Sequence, residues 1–463
     1  MKTSSDARRT TEPHAVDARG TTVALSDPVE AATDYLDFAA RLTASGVLSD
    51  PWLEGRPRFA RAPLVLAPSV ERRLVRAAEE LCAAYQELAL LAIASPELLA
   101  PWFSLTPFQR LMWESSAPLW HGIARADVFV TDDESGARIC EINCDTPSGE
   151  AEAVLLNRTA HEDFPALRDP NAQLEERFCE LVAVMSPRAH ESERPLTIGI
   201  LYPTEITEDL SMIRLYQAAF ARQGWRVVLG SPFNLQTIVD GDVRRAGLFG
   251  VACDVIVRHY KTDWWGEREP VTRSAPPYVG VDAQPLAAPL GALLGAVLDG
   301  TCAVVNPFGS VLLQNKRAMA FLWEERARFS PEARSAIERW LPETVRLETL
   351  ESKYLVYERP RWVLKSDYGC EGAEVIVGAL VSDEEWARAI ADAIPSRWVA
   401  QRYFDARRDG EGRIVNHGVY LIGGQASGIY SRVAAGPTDG RALSVPTLVD
   451  DSLAASLNGE VAA

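Results

Sequence analysis

Glu141, Asn143 and Asp145 occupy alternate positions in Arg138-Ile139-Cys140-Glu141-Ile142-Asn143-Cys144-Asp145-Thr146-Pro147, a run that reads as a strand entering a turn. Side chains on a strand alternate faces, so these three share one face, and Ile142, Cys140 and Cys144 share the other. Two carboxylates and an amide in a row are oxygen-only ligands, the chemistry of Mg²⁺ rather than of zinc or copper. Upstream, Arg125-Ala126-Asp127-Val128-Phe129-Val130 reads as the partner strand, with Arg125 and Asp127 on one face and Thr131 to Gly136 as the hairpin loop. An exposed acidic hairpin would use the same letters, and nothing local decides between the two.

Two lysines could meet an anion. Lys365 ends the apolar run Trp362-Val363-Leu364 and precedes Ser366-Asp367-Tyr368-Gly369-Cys370-Glu371-Gly372, a glycine-bearing turn before a second strand. An unpaired ammonium is costly to bury, so a lysine there calls for a partner. A hairpin of this kind can bend backbone N–H groups over phosphate oxygens while the lysine adds a point charge. Glycine hairpins are also common without any ligand. Lys316 lies near the start of a helix containing Phe321, Leu322 and Trp323, and by itself it looks like an ordinary surface lysine.

These groups must be held by several kinds of element. Helical stripes run from about Pro28 to Ala44 and from Ser69 to Ile93, and the hairpin follows them. A further helical stretch reaches about Met185, and the polar, two-proline run from Ser186 to Pro195 reads as a linker. Thr197–Tyr202, Thr207–Gln223, Trp225–Leu229 and Asp254–Arg258 then alternate strand, helix, strand, strand, a small α/β unit with parallel pairing. No Gly-x-Gly-x-x-Gly follows its first strand, so it does not read as a dinucleotide site. Leu286 to Leu298 reads as a core helix. The last 160 or so residues carry five extended runs (362–367, 373–377, 398–404, 414–423 and 426–433) and one helix opened by the capping box Ser382-Asp383-Glu384-Glu385, together expected to form one mostly antiparallel sheet.

The bulk composition limits the function. The chain has 463 residues and 47% hydrophobic residues, enough for two or three domains or one large intertwined unit. A net charge of −17 argues against a nucleic-acid binder, which needs a basic footprint. That charge would suit a cationic substrate, although acidic balance is also common among cytoplasmic enzymes. No apolar run approaches the roughly 18 residues of a membrane span, and the polar N-terminus, with Arg8, Arg9 and Arg19, is not a secretory signal. Seven scattered cysteines without a His cluster read as reduced thiols, and the expected location is cytoplasmic.

Taken together, these blocks resemble the glutathionylspermidine synthase family of carboxylate–amine ligases. The resemblance rests on Arg125-x-Asp127, on Glu141-x-Asn143-x-Asp145-Thr146-Pro147 and on Asn306-Pro307 through Lys316 with Leu322-Trp323. It continues in Lys365 with its glycine loop, in Gln401-Arg402-Tyr403-Phe404 and in Gly428-Ile429-Tyr430-Ser431-Arg432. The chain departs from the family after Lys365, where Ser366 and Asp367 stand in place of the usual proline. The resemblance implies an α/β (α+β) chain with a circularly permuted ATP-grasp fold, in which the metal ligands precede the lysines. Composition and periodicity give a disordered tail (1–26) and a helical region (27–120); from about His121 on, the resemblance adds the metal-binding hairpin and helices (121–190), a Rossmann-like pre-ATP-grasp unit (196–300) and the lysine and glycine-loop subdomains (301–463).

The same resemblance implies ATP and Mg²⁺ as cofactors, with a small or peptidic carboxylate and an amine as substrates. Asp127, Glu141 and Asn143 would hold Mg²⁺, and Arg125 and Arg432 would meet the transferred phosphoryl group. Lys316 and Lys365 would contact the nucleotide, the turn from Asp367 through Gly369 to Gly372 would close over the triphosphate, and Gln401 and Tyr403 would line the adenine pocket. The implied reaction is ATP-dependent amide formation through an acyl phosphate, releasing ADP and phosphate. A non-catalytic nucleotide-binding regulator and an ATP-grasp phosphotransferase are the alternatives.

Overall fold

The computed structural model describes residues 32–188, 194–204, 209–265, 271–274, 286–369 and 374–453. The expected N-terminal tail, part of the linker, and Cys370 and Gly372 of the glycine turn lie outside these residues.

The chain begins with helices α1 (Ala32–Ala44), α2 (Pro68–Ala94) and α3 (Pro107–Ser116). Proline at its first turn starts α2, and Leu74, Ala77, Leu81, Tyr85 and Leu88 then bury one stripe along it. The hairpin follows as β1 (Ile123–Val130) and β2 (Ala137–Asn143), then helices α4 (Glu150–Asp163) and α5 (Leu174–Met185). Gly149, at φ 95°, turns the chain into α4 at a point where a Cβ would lie 2.5 Å from the Tyr430 ring.

The α/β unit contains β3 (Thr197–Leu201), α6 (Leu210–Arg222), β4 (Arg226–Gly230), β5 (Val255–Arg258), α7 (Ala287–Leu298) and β6 (Ala303–Val305). Its four strands are all parallel, in the order β6-β5-β3-β4. A small antiparallel sheet of Leu235–Asp240, Val243–Leu248 and Val251–Ala252 is inserted before β5, in a stretch with no clear alternation.

Helix α8 (Arg317–Glu324) leads into β7 (Thr344–Arg346), β8 (Trp362–Ser366), β9 (Val375–Val377), α9 (Asp383–Asp392) and β10 (Trp398–Arg402). Ser382 and Glu385 form the expected capping box on α9. The chain then runs through β11 (Ile414–Ile422), β12 (Gln425–Ala434) and β13 (Leu443–Val445).

The single C-terminal sheet expected from sequence is in fact two. Strands β7-β10-β8-β9 form one antiparallel sheet around Trp362, Trp386 and Trp398. Strands β13-β12-β11 instead continue into β1 and β2, making a five-stranded antiparallel sheet from segments almost 300 residues apart. One face of that sheet presents Ala124, Ala126, Val128, Ile139 and Val419 to the core that contains α2. The other face carries Arg125, Asp127 and Glu141. Polar and apolar residues thus lie on opposite faces, with the period of two broken once on β2, at the bulge between Ile139 and Glu141.

Asp145 is where the hairpin is clamped to the α/β unit. Its Oδ1 accepts from Arg258 Nη2 at 2.6 Å and Ser310 Oγ at 2.7 Å, and its Oδ2 accepts from the Thr262 amide at 2.7 Å. Asp145 is therefore spoken for and does not extend the open row of oxygen ligands. Beside it the Asn306 amide accepts from the Gly122 and Ile123 N–H groups and donates to the Cys144 and Asp145 carbonyls. Removing one member of a buried ion pair costs about 3–5 kcal/mol. Asp145→Ala should lower stability by that order in denaturant titration, whereas Glu141→Ala, whose side chain is 24% exposed, should lower the midpoint less.

Candidate functional site

A cleft of about 500 Å³ opens between the five-stranded sheet, the β7–β10 sheet and the α/β unit. Arg125, Asp127, Glu141, Asn143, Lys365, Gly369, Gln401, Tyr403 and Arg432 all line it. Segments from residue 125 to residue 432 are thus brought together.

Strand pairing places the acidic pair. Asp127 sits opposite Glu141, and Arg125 opposite Asn143. Asp127 Oδ1 accepts from Arg125 Nε at 2.8 Å, while its Oδ2 accepts from Arg432 Nη2 at 3.0 Å and from Asn416 Nδ2 at 3.3 Å. Arg125 has no nitrogen to spare, because its Nη2 also reaches Asp127 and its Nη1 donates to the Ser148 carbonyl. It orients Asp127, whereas Arg432 keeps a buried Nε without a partner.

Glu141 faces Lys316 Nζ at 3.5 Å and accepts from Asn143 Nδ2 at 3.3 Å. Lys316 is 3% exposed, so it is not a surface lysine, and its ammonium also donates to the Gly369 carbonyl. Burial pushes the Glu141 carboxyl up, but Lys316 and Lys365 outweigh it and leave the group below the ordinary range. Burial likewise opposes ionisation of Asp127, and Arg125 and Arg432 overcome it. Both carboxylates are thus held as anions.

The bulge between Asp127 and Val128 on the β1–β2 pair overturns the simple alternation at Cys140. Cys140 lines the cleft instead of sharing the Ile142 face. Its carbonyl accepts from Lys365 Nζ at 3.1 Å and Gln401 Nε2 at 3.3 Å, tying the lysine sheet to the hairpin. Asp367 departs from its expected place over the cleft. It is 1% exposed, bonded to the buried Arg397 guanidinium and to the Tyr368 amide, so it anchors the turn.

Sequence reasoning missed Asn416, Gln314 and the residues contributed by the α/β unit. Asn416 lines the cleft beside Asp127 and has a buried Oδ1 without a partner. Gln314 accepts from the Cys144 amide at 2.7 Å, and its Nε2 lies 3.4 Å from Asn143 Oδ1. Gln314 lies within the block from Asn306 to Lys316 but is assigned no role by it, and Asn416 belongs to no motif; the three-dimensional pairing reveals both.

Arg125, Arg432, Lys316 and Lys365 stand immediately around Asp127 and Glu141, Lys316 just behind the cleft wall, while Asp209 and Asp263 lie with Lys261 farther along the same cleft. The positive charge is thus concentrated locally at the acidic pair, where it suits an anionic ligand. Among the described residues no group of three His, Cys, Asp or Glu side chains could hold a metal ion. Glu141 and Asn143 nonetheless suit a hard cation that completes its shell with phosphate oxygens and water, as Mg²⁺ does, whereas Asp127 could join them only by exchanging one of its donors from Arg125, Arg432 or Asn416. Val363, Val375, Val377, Leu380 and Tyr403 give the cleft an apolar end.

Beneath the site Glu150 is fully buried and accepts from Tyr216 Oη at 3.4 Å, with its Oε2 unpartnered. Burial pushes its carboxyl up to about 8. Between the ordinary carboxyl value of 4.5 and about 8 the folded chain keeps a proton that the unfolded chain releases, so this group costs stability as pH rises through that window. Glu150→Gln should flatten the fall in melting temperature between pH 5 and pH 8 and raise the value at pH 8.

No protein-family model matches the sequence, and no curated protein matches it. Among solved structures, the apo form of a glutathione synthetase like-effector from Globodera pallida superposes with a TM-score of 0.54 at 10% identity, over 92% of this chain and 98% of that one. A protein of Methylobacillus flagellatus KT, provisionally named a gamma-glutamylcysteine synthetase, reaches a TM-score of 0.40 at 13% identity, over 79% and 86%. The first likeness shows a shared mixed α/β fold across nearly the whole chain.

Proposed function

We propose that this protein is an ATP- and Mg²⁺-dependent carboxylate–amine ligase on a permuted ATP-grasp framework. The observation that carries the reading is the convergence of Arg432, Lys365 and Lys316 on Asp127 and Glu141 at a cleft with an apolar end. Arg432 is bonded through Nη2 to Asp127 and lines the cleft itself. The full-length likeness to a glutathione synthetase like-effector supports the same chemistry.

The substrates are a carboxylate and an amine. Transfer of the γ-phosphoryl group to the carboxylate brings two anions together, and cations must offset their repulsion. Lys365 binds the nucleotide, and the apolar walls at Val363 and Val375 receive the base. Arg432 faces the phosphoryl group while Arg125 keeps Asp127 in place from behind. Asp127, Glu141 and Asn143 are the residues to hold Mg²⁺, which would neutralise and align the phosphate oxygens.

A panel of amino acids and polyamines with Mg–ATP, read by mass spectrometry for condensation products, tests the reading. Product that needs both an acid and an amine supports it; ATP consumption with a stable phosphorylated acid and no amine requirement rejects it. Lys365→Met should weaken ATP binding by roughly 10- to 100-fold, the worth of a charged hydrogen bond. Arg432→Ala should instead lower kcat by roughly 100- to 1,000-fold with a smaller change in ATP affinity. Nucleotide titration beside steady-state rates separates the two effects.

A further inference from the structure

The α/β unit supplies a wall of the cleft that the nucleotide chemistry leaves unused. From β3 the chain passes to β4 on one side, while β5 lies on the other, so the carboxyl ends of β3 and β5 flank a crevice of the kind that receives ligands in open parallel sheets. His259 follows β5 directly, and its amide donates to the carbonyl of Leu201, the last residue of β3, at 2.7 Å. Its Nε2 lies 3.3 Å from Oδ2 of Asp209, the residue before α6. His259, Asp209, Lys261, Asp263 and Trp264 line the same cleft as Asp127 and Glu141.

An amine substrate arrives at neutral pH as an ammonium and must lose a proton before it can attack. Few groups in the cleft can accept that proton. Asp127 and Glu141 are held as anions by their cations, and arginine has no free lone pair. Asp145 is engaged by Arg258, Ser310 and Thr262, and Asp263, at 7% exposure, is already engaged.

We propose that the crevice at the ends of β3 and β5 receives the amine substrate, and that His259, positioned by Asp209, takes its proton. The proposal rests on the ligase reading and adds the seat of the second substrate to it. With Asp209 anionic, the ring donates from Nε2 toward it, which leaves Nδ1 to carry the lone pair. One proton passes from the ammonium to Nδ1. The amine lone pair then forms the C–N bond at the acyl carbon, and the C–O bond to phosphate breaks with its electron pair. The second amine proton leaves with the phosphate as hydrogen phosphate. Asp209 is the charged group paired with this ring; Lys261 and Asp263 line the same cleft, and Lys261 acts on Asp209. Glu152, paired with Arg58 at 3.0 Å, is the further carboxylate that senses Asp209.

Hydroxylamine separates acid activation from proton removal, because it is uncharged at neutral pH and needs no base before it attacks an acyl phosphate. The wild type, His259→Gln, Asp209→Asn and Asp209→Glu would be assayed with Mg–ATP and the same amino-acid panel, with hydroxylamine in one arm and putrescine or spermidine in the other. His259→Gln should form hydroxamate at close to the wild-type rate. Its amide formation should fall roughly 100-fold at pH 7 and recover as pH rises and free amine accumulates. Asp209→Asn removes the carboxylate that orients the ring, so amide formation should fall while hydroxamate formation persists, and Asp209→Glu, which keeps an anionic acceptor, should restore part of the amide rate. A merely structural role would lower both products together. Equal loss of hydroxamate and amide in His259→Gln, or retention of both, overturns the assignment of His259. A wild type that makes no hydroxamate from any acid overturns the ligase reading itself, a result distinct from either outcome.

Discussion

The structure turns on one carboxylate. Asp127 is 3% exposed and accepts hydrogen bonds from Arg125 on its own strand, Asn416 on β11 and Arg432 on β12. A buried anion is tolerated only where hydrogen-bonding cations surround it. That requirement sets the register of the whole sheet: a slip by one residue would turn Asp127 and Arg125 into the apolar core and Ala126 into the cleft. Gly418 lies opposite Asp127 on β11, where a Cβ would come within 2.6 Å of the Arg125 side chain. A side chain at 418 would displace the Arg125 stem, which lies over this position of β11 as it reaches Asp127 on its own strand.

Around this carboxylate the protein concentrates charge where water is scarce. Placing four cations beside two anions would be unfavourable in a finished core, because desolvation exceeds what the pairs return. The arrangement is tolerable at a cleft that takes up an anionic ligand, since the ligand completes the neutralisation. The neighbouring apolar packing strengthens the effect by lowering the local dielectric. Lys365 shows how the cost is contained without a ligand: its ammonium rests on the Cys140 carbonyl, which the strand bulge directs toward it.

Local pattern made the elements legible, but pairing between distant segments was not. The hairpin, the parallel α/β unit and the Ser382 cap declared themselves through alternation, strand–helix spacing and a two-residue motif. The division of the C-terminal strands between two sheets depends on β11 choosing β1 as neighbour, and nothing within residues 414–434 states that choice. Asp145 looked like a ligand because its own alternation matched that of Glu141; Arg258, more than 100 residues away, claims it. Lys316 looked exposed because its neighbours in sequence do not include Glu141 or Gly369. Asn416, His259 and Asp209 carry no motif at all. Their meaning comes from which strand ends the fold brings together, a property of topology rather than of spacing.

The Asp145–Arg258 clamp also bears on how such a cleft could work. Asp145 stands two residues from Asn143 on the metal-facing hairpin, and Arg258 stands one residue before His259 on the opposite wall. Reaction between two bound substrates requires their reacting atoms to be held within a few tenths of an ångström of a productive approach, and misplacement by about 1 Å can cost roughly 100-fold. Flexible loops joining the two walls could not hold that spacing. A fully buried ion pair backed by the Asn306 amide can, because breaking it would leave several polar groups unsatisfied at once. On this reasoning the buried clamp fixes the separation between the hairpin wall and the His259 wall of the cleft as well as contributing stability.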